Sequence, residues 1–347
     1  MRQISRREFL RLTALGLGAA SLSEFLTACN RRTAAGQLAG ITPSAAPTST
    51  LPKPTASQAP TREEMEAKQS SPTATPPSIA DLSVARGGDN PEILVRRAMA
   101  AIGGMERFVP KGSSVIVKPN ICIPAPFTRG ATTNPIVVGT LVKMAFEAGA
   151  GSVKVLDYPF GGPSLQSYEK SGIKATVEEA GGEMQAIVPY KWIKTEIPQG
   201  VAMKNISVYD DILKADVLIN VPVAKNHGEA LYTIGLKNLM GIVAERPNMH
   251  ISLNQSIVDI NTLIRPQLTV VDCVRIMLEG GPQGGSEDYL KKMDTVIASP
   301  DIVAADSYAL SLFDVRPNQV PYIGIAEQTG LGRSDIQNIK VEEIAVG

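Results

Sequence analysis

Beyond residue 81, short apolar runs rich in valine and isoleucine alternate with longer segments of helical periodicity. The short runs predict β-strands and the longer segments predict α-helices. The predicted strands are 114–118, 152–157, 217–223, 268–272, 294–298 and 339–344, and the predicted helices are 134–148, 173–180 and 302–313. Strands that alternate with helices are typical of βαβ units. We therefore expect one α/β domain over 81–347, with a mostly parallel sheet flanked by helices in a three-layer, Rossmann-like arrangement.

The stretch 217–241 carries two more detailed expectations. Pro222 cannot donate a ladder hydrogen bond, so the strand 217–223 either lies at a sheet edge or ends at this residue. Downstream, five residues are spaced as on one face of a helix: His227, Leu231, Ile234, Asn238 and Gly241. Residues at such spacing are neighbours on a helix surface. This face fits a helix that lines a cleft as well as one packed in the core.

The first 28 residues have the pattern of an export signal. Residues 5–11 read SRREFLR, a twin-arginine signature, and a modest apolar stretch follows over 12–28. Residues 26–29 read LTAC and match the lipobox of bacterial lipoproteins, in which the cysteine thiol accepts the lipid. We expect recognition by the twin-arginine export machinery, removal of 1–28, and lipidation of Cys29. The alternative is a chance cysteine in a plain signal peptide.

A second compositional change separates this signal from the domain. Residues 30–80 contain eight prolines, eight threonines and six serines, with few large apolar side chains. Such a segment cannot bury enough apolar surface to offset the entropy of ordering. The sequence predicts that 29–80 is a disordered linker behind the lipidated cysteine. The domain would then be anchored to the membrane on its extracytoplasmic side, periplasmic or at the cell surface.

Charge and cysteine content exclude several classes of protein. The 34 basic and 34 acidic residues balance, and no tract of Lys and Arg is interleaved with aromatic residues, which argues against nucleic acid as a partner. Besides Cys29, only Cys122 and Cys273 remain, and neither belongs to a C-x-x-C pair. The chain is therefore not expected to hold an iron–sulfur cluster of its own. The two cysteines form either a disulfide or two buried thiols.

Polar residues follow several predicted strands directly. Lys118 and Asn120 follow the first, Asp157 follows the second, Lys225 and His227 follow the third, and Asp272 and Glu279 follow the fourth. Ligands bind outside the carboxyl ends of parallel strands, so these clusters are expected to converge at one edge. The simpler alternative is that every strand must end in polar residues.

These residue types favour the handling of a small anion. The substrate-binding candidates supply ammonium groups, amides and close backbone approach: Lys118, Asn120, Asn226, Asn238 and Gly241. The catalytic candidates are His227 as an acid or base, with Lys225 and Lys237 at a lowered pKa. The alternative for His227 is a surface or capping histidine without a role.

Known cofactor motifs are absent from the sequence. It has no G-x-x-x-x-G-K-[ST] and no G-x-G-x-x-G that opens a helix after a strand, and two histidines are too few for a multi-histidine metal site. A divalent cation remains an expectation, with four carboxylates as its candidate ligands: Asp157, Asp272, Glu279 and Asp306. Twin-arginine export carries folded proteins, often with a cofactor, although a rapidly folding domain would use the same route. The identity of a cofactor stays open.

Several motifs together resemble the bacterial and archaeal family called domain of unknown function 362. They are 117–120 (VKPN), 215–222 (ADVLINVP) followed by Lys225 and His227, 235–241 (GLKNLMG), 279–282 (EGGP) with Gly284, 299–301 (SPD) and 304–306 (AAD). The resemblance covers about 85–345. Many family members are fused to ferredoxin-type modules, whose cysteine runs this chain lacks. The resemblance implies a ligand-facing role for Lys225, His227, Lys237 and Asn238.

The resemblance also extends more distantly to the nickel-pincer lactate racemase group, which uses a lysine and histidines near a bound cofactor. Taken together, these features lead us to expect an exported, membrane-anchored lipoprotein that acts as a cofactor-dependent redox or isomerase-type enzyme on a small anionic substrate. The alternative is a non-catalytic lipoprotein that binds a solute or docks a redox partner. The low aromatic content, 5%, favours the enzyme.

Overall fold

The computed structural model describes residues 79–284 and 286–347. The expected signal peptide, Cys29 and nearly all of the expected linker lie outside these residues. Within the described ranges, no helix has both the length and the apolar character needed to cross a membrane.

Ten strands of the described part form one mixed sheet, and two more form a separate antiparallel pair. The strands are β1 (Leu82–Arg86), β2 (Ser114–Pro119), β3 (Ser152–Val155), β4 (Glu183–Met184), β5 (Trp192–Glu196), β6 (Asn205–Tyr209), β7 (Val217–Val221), β8 (Val223–His227), β9 (Leu231–Thr233), β10 (Leu268–Met277), β11 (Leu290–Ser299) and β12 (Val341–Ala345). The order of the main sheet is β12-β1-β11-β10-β7-β2-β3-β4, with β8 beside β10 and β9 beside β8. All neighbours from β10 to β4 are parallel, whereas β11 is antiparallel to both of its neighbours.

Helices cover both faces of this sheet. They are α1 (Pro91–Ala101), α2 (Pro135–Glu147), α3 (Ser164–Lys170), α4 (Ile173–Glu179), α5 (Asp210–Lys214), α6 (Gly235–Asn238), α7 (Arg246–Met249), α8 (Leu253–Leu263), α9 (Ile302–Ser311) and α10 (Pro321–Gln328). In β2, Val115 and Val117 pack into the core under α1, α2 and α4, while Ile116 packs into the core under α8, α9 and α10. Side chains of a strand alternate between faces, so the central strands are apolar on both. The prediction of a three-layer α/β fold is confirmed.

The predicted strand 217–223 is in fact two strands. Pro222 has no N–H group, and its carbonyl accepts a hydrogen bond from the Asp272 N–H at 2.8 Å. At this residue the pairing of β10 passes from β7 to β8, and both of these strands run parallel to β10. The second pairing extends β10 to Met277, beyond the predicted end at 272. Pro222 therefore ends one strand and starts another that reaches further along the sheet.

The helical face predicted from His227 to Gly241 is wrong. His227 ends β8, and the chain turns back into β9 because the His227 ring accepts the backbone N–H groups of Glu229 and Ala230, both at 3.1 Å. Only the four residues of α6 and one following 3₁₀ turn are helical. The spacing matched a helix, but the local hydrogen bonds of one histidine side chain form a hairpin instead.

A buried carboxylate fixes the start of α6. Asp306, on α9, accepts the N–H groups of Gly235 at 2.7 Å and Leu236 at 2.9 Å through its two carboxylate oxygens. These N–H groups have no partners inside the helix. A side chain at Gly235 would bring its Cβ within 2.6 Å of Asp306 Oδ1. The position of α6 therefore depends on one acid and one glycine.

Asp306 gives a prediction about stability and pH. Burial raises its pKa to about 7, so between pH 4 and 7 the folded protein binds a proton that the unfolded chain, with a carboxyl pKa near ~3.9, releases. This group therefore costs stability as the pH rises through that window. Asp306→Asn loses one hydrogen-bond acceptor, so it should be less stable than the wild type at pH 4. It also removes the pH-dependent cost, so the difference in unfolding free energy between the two proteins should shrink from pH 4 to pH 8.

Guanidinium denaturation of both proteins at several pH values measures this difference. The matched control is Asn90→Ala, because Asn90 caps the start of α1 with an uncharged amide that accepts the Glu92 N–H. Its deficit should change less with pH. A deficit for Asp306→Asn that is constant from pH 4 to pH 8 would contradict the assignment.

Candidate functional site

A cavity of about 800 Å³ lies at the ends of β2, β3 and β8, and residues of α6 and α7 also line it. It is lined by Asn120, Cys122, Asp157, Tyr158, Pro159, Phe160, Gly162, Lys225, His227, Thr233, Lys237, Asn238, Met240, Gly241, Ala244, Arg246, Pro247, His250 and Pro282. Three of the polar clusters predicted at strand ends therefore meet here. The size is that of a small-molecule or cofactor site.

The floor of the cavity contains a buried ion pair. Lys118 Nζ lies 2.6 Å from Asp157 Oδ1 and also donates to the Pro119 carbonyl at 2.8 Å. The second carboxylate oxygen of Asp157 accepts the Ile121 N–H at 2.6 Å. Burial lowers the pKa of Lys118, and the adjacent Asp157 carboxylate opposes this shift. Lys118 and Asp157 thus join the ends of β2 and β3 through charge-assisted hydrogen bonds.

Two amides connect this pair to a second buried lysine. Asn238 Oδ1 accepts from Lys118 Nζ at 3.1 Å and from Asn120 Nδ2 at 3.0 Å, and Asn120 Oδ1 accepts from Lys225 Nζ at 2.8 Å. Asn238 Nδ2 donates to Asn220 at 2.8 Å. The network therefore fixes the orientation of each amide and ties α6 to β2, β7 and β8.

Lys225 uses its ammonium donors within the protein. Its Nζ donates to the carbonyls of Ala131 at 2.6 Å and Pro282 at 3.2 Å, in addition to Asn120, and lies 3.6 Å from Cys122 Sγ. The residue is 1% exposed and has no carboxylate partner among these contacts. Burial lowers its pKa. Three oxygen acceptors therefore fix the position of the Lys225 amine beneath the cavity wall.

His227 has a defined tautomer. Its Nδ1 accepts two backbone N–H groups, so in the neutral ring the proton lies on Nε2. Burial, followed by the charges of Lys237 and Lys225, lowers the pKa of His227 to about 3. The ring is therefore neutral at physiological pH and offers an N–H donor to the cavity. A neutral ring of this tautomer suits hydrogen-bond donation to a ligand, and the acid–base role expected of His227 stays a prediction.

Lys237 differs from the two buried lysines. It lies on α6, lines the cavity, and has no hydrogen-bond or ion-pair partner in residues 79–284 and 286–347. Burial and then the charge of Lys225 lower the pKa of Lys237 to about 8. A substantial fraction of the amine is therefore neutral near physiological pH.

Sequence reasoning missed several residues of the cavity wall, among them Arg246 and Thr233. Arg246, on α7, donates to the carbonyls of Tyr158 at 2.6 Å and Pro159 at 3.0 Å and lies 4.2 Å above the Tyr158 ring. Thr233 is 3% exposed, and its hydroxyl has no partner within the described ranges. A four-residue helix and a three-residue strand carry too little periodicity for a sequence to reveal either residue.

The lining of the cavity is electropositive. Lys225, Lys237 and Arg246 carry positive charge there, whereas Asp157 is the carboxylate among the lining residues and is already paired with Lys118. At the same wall, His250 contacts Glu229 at 2.6 Å in an exposed pair. An excess of buried positive charge is costly without a counter-ion, so the cavity favours an anion.

Four expected site residues have other surroundings. Asp272 accepts the N–H groups of Asn134 and Val274, Asp306 caps α6, and Glu279 is exposed. With Asp157 held by Lys118, the expected set of four metal ligands is not brought together, and the described residues contain no cluster of three or more His, Cys, Asp or Glu side chains suited to a metal. Sequence cannot separate a carboxylate that caps a backbone from one that binds a cation.

Asn226 also lies away from the cavity lining. Residues 225, 226 and 227 alternate along β8, so Lys225 and His227 face the cavity while Asn226 donates to the Leu231 carbonyl at 3.4 Å on the other side. Asn226 is thus not among the lining residues, and its expected contact with a substrate stays a prediction. Cys122 and Cys273 are both buried free thiols, which rules out the disulfide between them.

Comparisons with known proteins agree with the motifs. A model of the family described as "Domain of unknown function (DUF362)" matches residues 115–311. The "Thylakoid-associated protein sll1697" of Synechocystis sp. is 25% identical, over 68% of this chain and 74% of its own length. The matched region contains the residues that form the cavity.

Two solved structures align with this chain at low similarity. The lactate racemase apoprotein of Thermoanaerobacterium thermosaccharolyticum aligns with a TM-score of 0.42 and 14% identity, over 67% of this chain and 56% of that one. A protein of Thermotoga maritima aligns with a TM-score of 0.39 and 12% identity, over 66% and 60%. The chain therefore spans less than two thirds of either structure, and neither likeness bears on its chemistry.

Gly241 gives a prediction about the site. A Cβ atom there would overlap Asp157 Oδ1 and lie 2.7 Å from Lys118 Nζ. Gly241→Ala should therefore lower the free energy of unfolding by about 1–3 kcal/mol through overpacking. It should also displace the buried ion pair and weaken ligand binding.

The matched control for this prediction is Gly324→Ala. Gly324 lies in α10 with open space where its Cβ would be, and alanine is the better helix former by about 1 kcal/mol. Denaturant titration compares the two variants. Equal stability of Gly241→Ala and Gly324→Ala would show that the close approach of Gly241 to Asp157 and Lys118 does not affect the free energy of unfolding.

Proposed function

The chain belongs to the DUF362 family, and we propose that its cavity binds a small anionic molecule and catalyses proton transfer at a carbon atom of that molecule. The observation that carries this proposal is the excess of cations around the cavity: Lys225, Lys237 and Arg246 face it, and Asp157 is neutralised by Lys118. A bound anion supplies the missing negative charge.

The shape and chemistry of the wall support a ligand with both an anionic and an apolar part. Phe160, Met240 and Pro247 line the cavity together with the cations. Small-molecule sites combine an apolar wall with a few converging polar groups in this way. The volume of about 800 Å³ accommodates a substrate together with a cofactor.

Two residues supply the groups that proton transfer requires. Lys237, with its pKa lowered to about 8, exists in both protonation states near neutral pH, which suits a general base. His227 remains neutral, so its Nε2–H donates to a ligand oxygen without first losing a positive charge. If the ligand carries a carbonyl group, the amine takes a proton from the adjacent carbon while the imidazole stabilises the enolate oxygen.

This arrangement fits an isomerase-type reaction that removes and returns one proton. A redox reaction at the same site requires a bound cofactor. The non-catalytic alternative, a solute-binding domain, uses the same cations but needs no amine at a lowered pKa. The unpaired state of Lys237 therefore favours the enzyme over the binding protein.

Proton exchange with solvent tests the reaction directly. In D₂O the full-length protein should incorporate deuterium into the methylene group of 2-oxobutyrate, followed by ¹H NMR. Lys237→Met should lower the exchange rate by a factor of about 10²–10⁴, the usual contribution of a general base. Because the neutral amine is the base, the wild-type rate should rise as the pH increases through about 8.

The control for the loss of one lysine charge outside the cavity is Lys214→Met, since Lys214 is exposed on α5 and pairs with Asp210. This variant should exchange at the wild-type rate. If 2-oxobutyrate binds but its protons do not exchange, the binding-protein alternative replaces the enzyme for this class of ligand. If neither binding nor exchange occurs, the ligand class is wrong.

We further propose that the protein is exported by the twin-arginine machinery and anchored to the membrane on the extracytoplasmic side. The support is the SRREFLR signature and the lipobox that ends at Cys29. A lipid chain stabilises membrane association by roughly 0.8 kcal/mol per buried CH₂, and more than one chain makes the anchor stable.

Two sets of substitutions separate anchoring from export. Cys29→Ser should be exported but should leave the membrane fraction, because it lacks the thiol that accepts the lipid. The double substitution Arg6→Lys with Arg7→Lys should retain the protein inside the cell. Cell fractionation with immunoblotting measures both outcomes, and a Cys29→Ser variant that stays with the membrane would refute the lipid anchor.

A further inference from the structure

The amine of Lys237 is chemically distinct from the other cations of the cavity. Lys225 donates to three oxygen atoms of the protein, and Arg246 donates to two carbonyls. Lys237 donates to none within the described part of the chain. An unpaired lysine in a cationic, desolvated pocket is the type of amine that forms Schiff bases with carbonyl substrates.

Side chains on the β8–β9 hairpin complete the surroundings of this amine. Lys225 and His227 occupy alternate positions of β8, and Thr233 of β9 is the register partner of Lys225. Alternate positions share one face of a strand, and a directly paired residue shares that face across the ladder. All three line the cavity with Lys237. Among them, His227 offers Nε2–H for an oxygen atom next to the reacting carbon.

We propose that Lys237 Nζ forms a reversible imine with the carbonyl carbon of a small anionic aldehyde or ketone. This inference rests on the proposed function, because the anionic group is held by the same cations. It names the substrate class: a carboxylate or phosphate that also carries a carbonyl group. The apolar remainder of the molecule would contact Phe160 and Met240.

The chemical step balances without an external oxidant or reductant. The neutral amine attacks the carbonyl carbon, a C–N bond forms, and the carbonyl oxygen becomes a hydroxyl group while His227 Nε2–H donates a hydrogen bond to it. The first amine proton has then moved to this oxygen. The nitrogen next gives its second proton to the hydroxyl group, the C–O bond breaks, and the oxygen leaves as water. The products are one imine and one water molecule. An imine withdraws electrons from the adjacent carbon and so favours loss of a proton from that carbon. In this bound form the proton passes to water, because Lys237 Nζ is bonded to the substrate and does not act as the base.

The charges around Lys237 favour this step. The ammonium of Lys225 destabilises a second positive charge nearby, and burial removes the water that would solvate it; together they lower the pKa of Lys237 to about 8. The neutral, nucleophilic form is therefore available close to physiological pH. The lysine of a model peptide has a pKa near ~10.4 and remains almost fully protonated there.

Reductive trapping of the imine tests the inference. The full-length protein is incubated with glyoxylate and sodium cyanoborohydride, which converts an imine to a stable secondary amine, and the modified peptide is identified by mass spectrometry. We expect one carboxymethyl group per chain on Lys237, formed at least about tenfold faster than on Lys214, whose exposed ammonium is paired with Asp210. The rate should rise with pH through the titration of Lys237.

Two variants separate nucleophilicity from charge. Lys237→Arg keeps the positive charge but has no nucleophilic amine, so it should give no adduct at this position and should bind glyoxylate more tightly than Lys237→Met does. Lys214→Arg is the matched control and should leave the adduct on Lys237 unchanged. Isothermal titration calorimetry without cyanoborohydride measures the binding.

The outcomes distinguish this inference from the proposed function. If glyoxylate binds and 2-oxobutyrate exchanges its protons, but no adduct forms on Lys237, the imine is refuted and the proposed function stands. An adduct spread over many surface lysines at equal rates refutes the imine as well. If no anion binds and no exchange occurs, both proposals fail together.

Discussion

The buried contact between Lys118 and Asp157 is the interaction on which the site depends. It joins the ends of two parallel strands, and through Asn238 and Asn120 it continues to Lys225. Burying a lysine and a carboxylate costs several kcal/mol of desolvation per ion, so such a pair contributes little net stability. Its value lies in geometry, because loss of either partner would leave a buried charge uncompensated and would release the amides that orient the cavity wall.

The same pair explains why the cavity is cationic. Asp157 could have neutralised Lys237 or Arg246, but its two oxygens are occupied by Lys118 Nζ and by a backbone N–H. Among the residues that line the cavity, no second carboxylate pairs with Lys225, Lys237 or Arg246. Packing at Gly241 keeps the pair in place, and the β8–β9 hairpin holds the neutral ring of His227 in the wall of the same cavity. Within residues 79–284 and 286–347, the amine of Lys237 is left in the cavity without a hydrogen-bond or ion-pair partner.

The layered fold could be predicted from the alternation of apolar runs and helical segments, since burial on both sheet faces leaves a strong pattern in residues such as 115–117. The expectation that polar residues converge at the carboxyl ends of parallel strands also located Lys118, Asp157 and Lys225. The hairpin at His227 could not be predicted, because it depends on two hydrogen bonds of one side chain. Neither could the capping role of Asp306, since its sequence neighbourhood does not record which backbone groups lie opposite.

The central claim is that this cavity recognises a negative charge. Calorimetric titration of the full-length protein with 2-oxobutyrate and with its uncharged amide tests it most directly, because the two ligands differ only in the anionic group. We predict that the carboxylate binds at least about tenfold more tightly, a difference of ~1.4 kcal/mol. Equal affinity for the two ligands would contradict the claim.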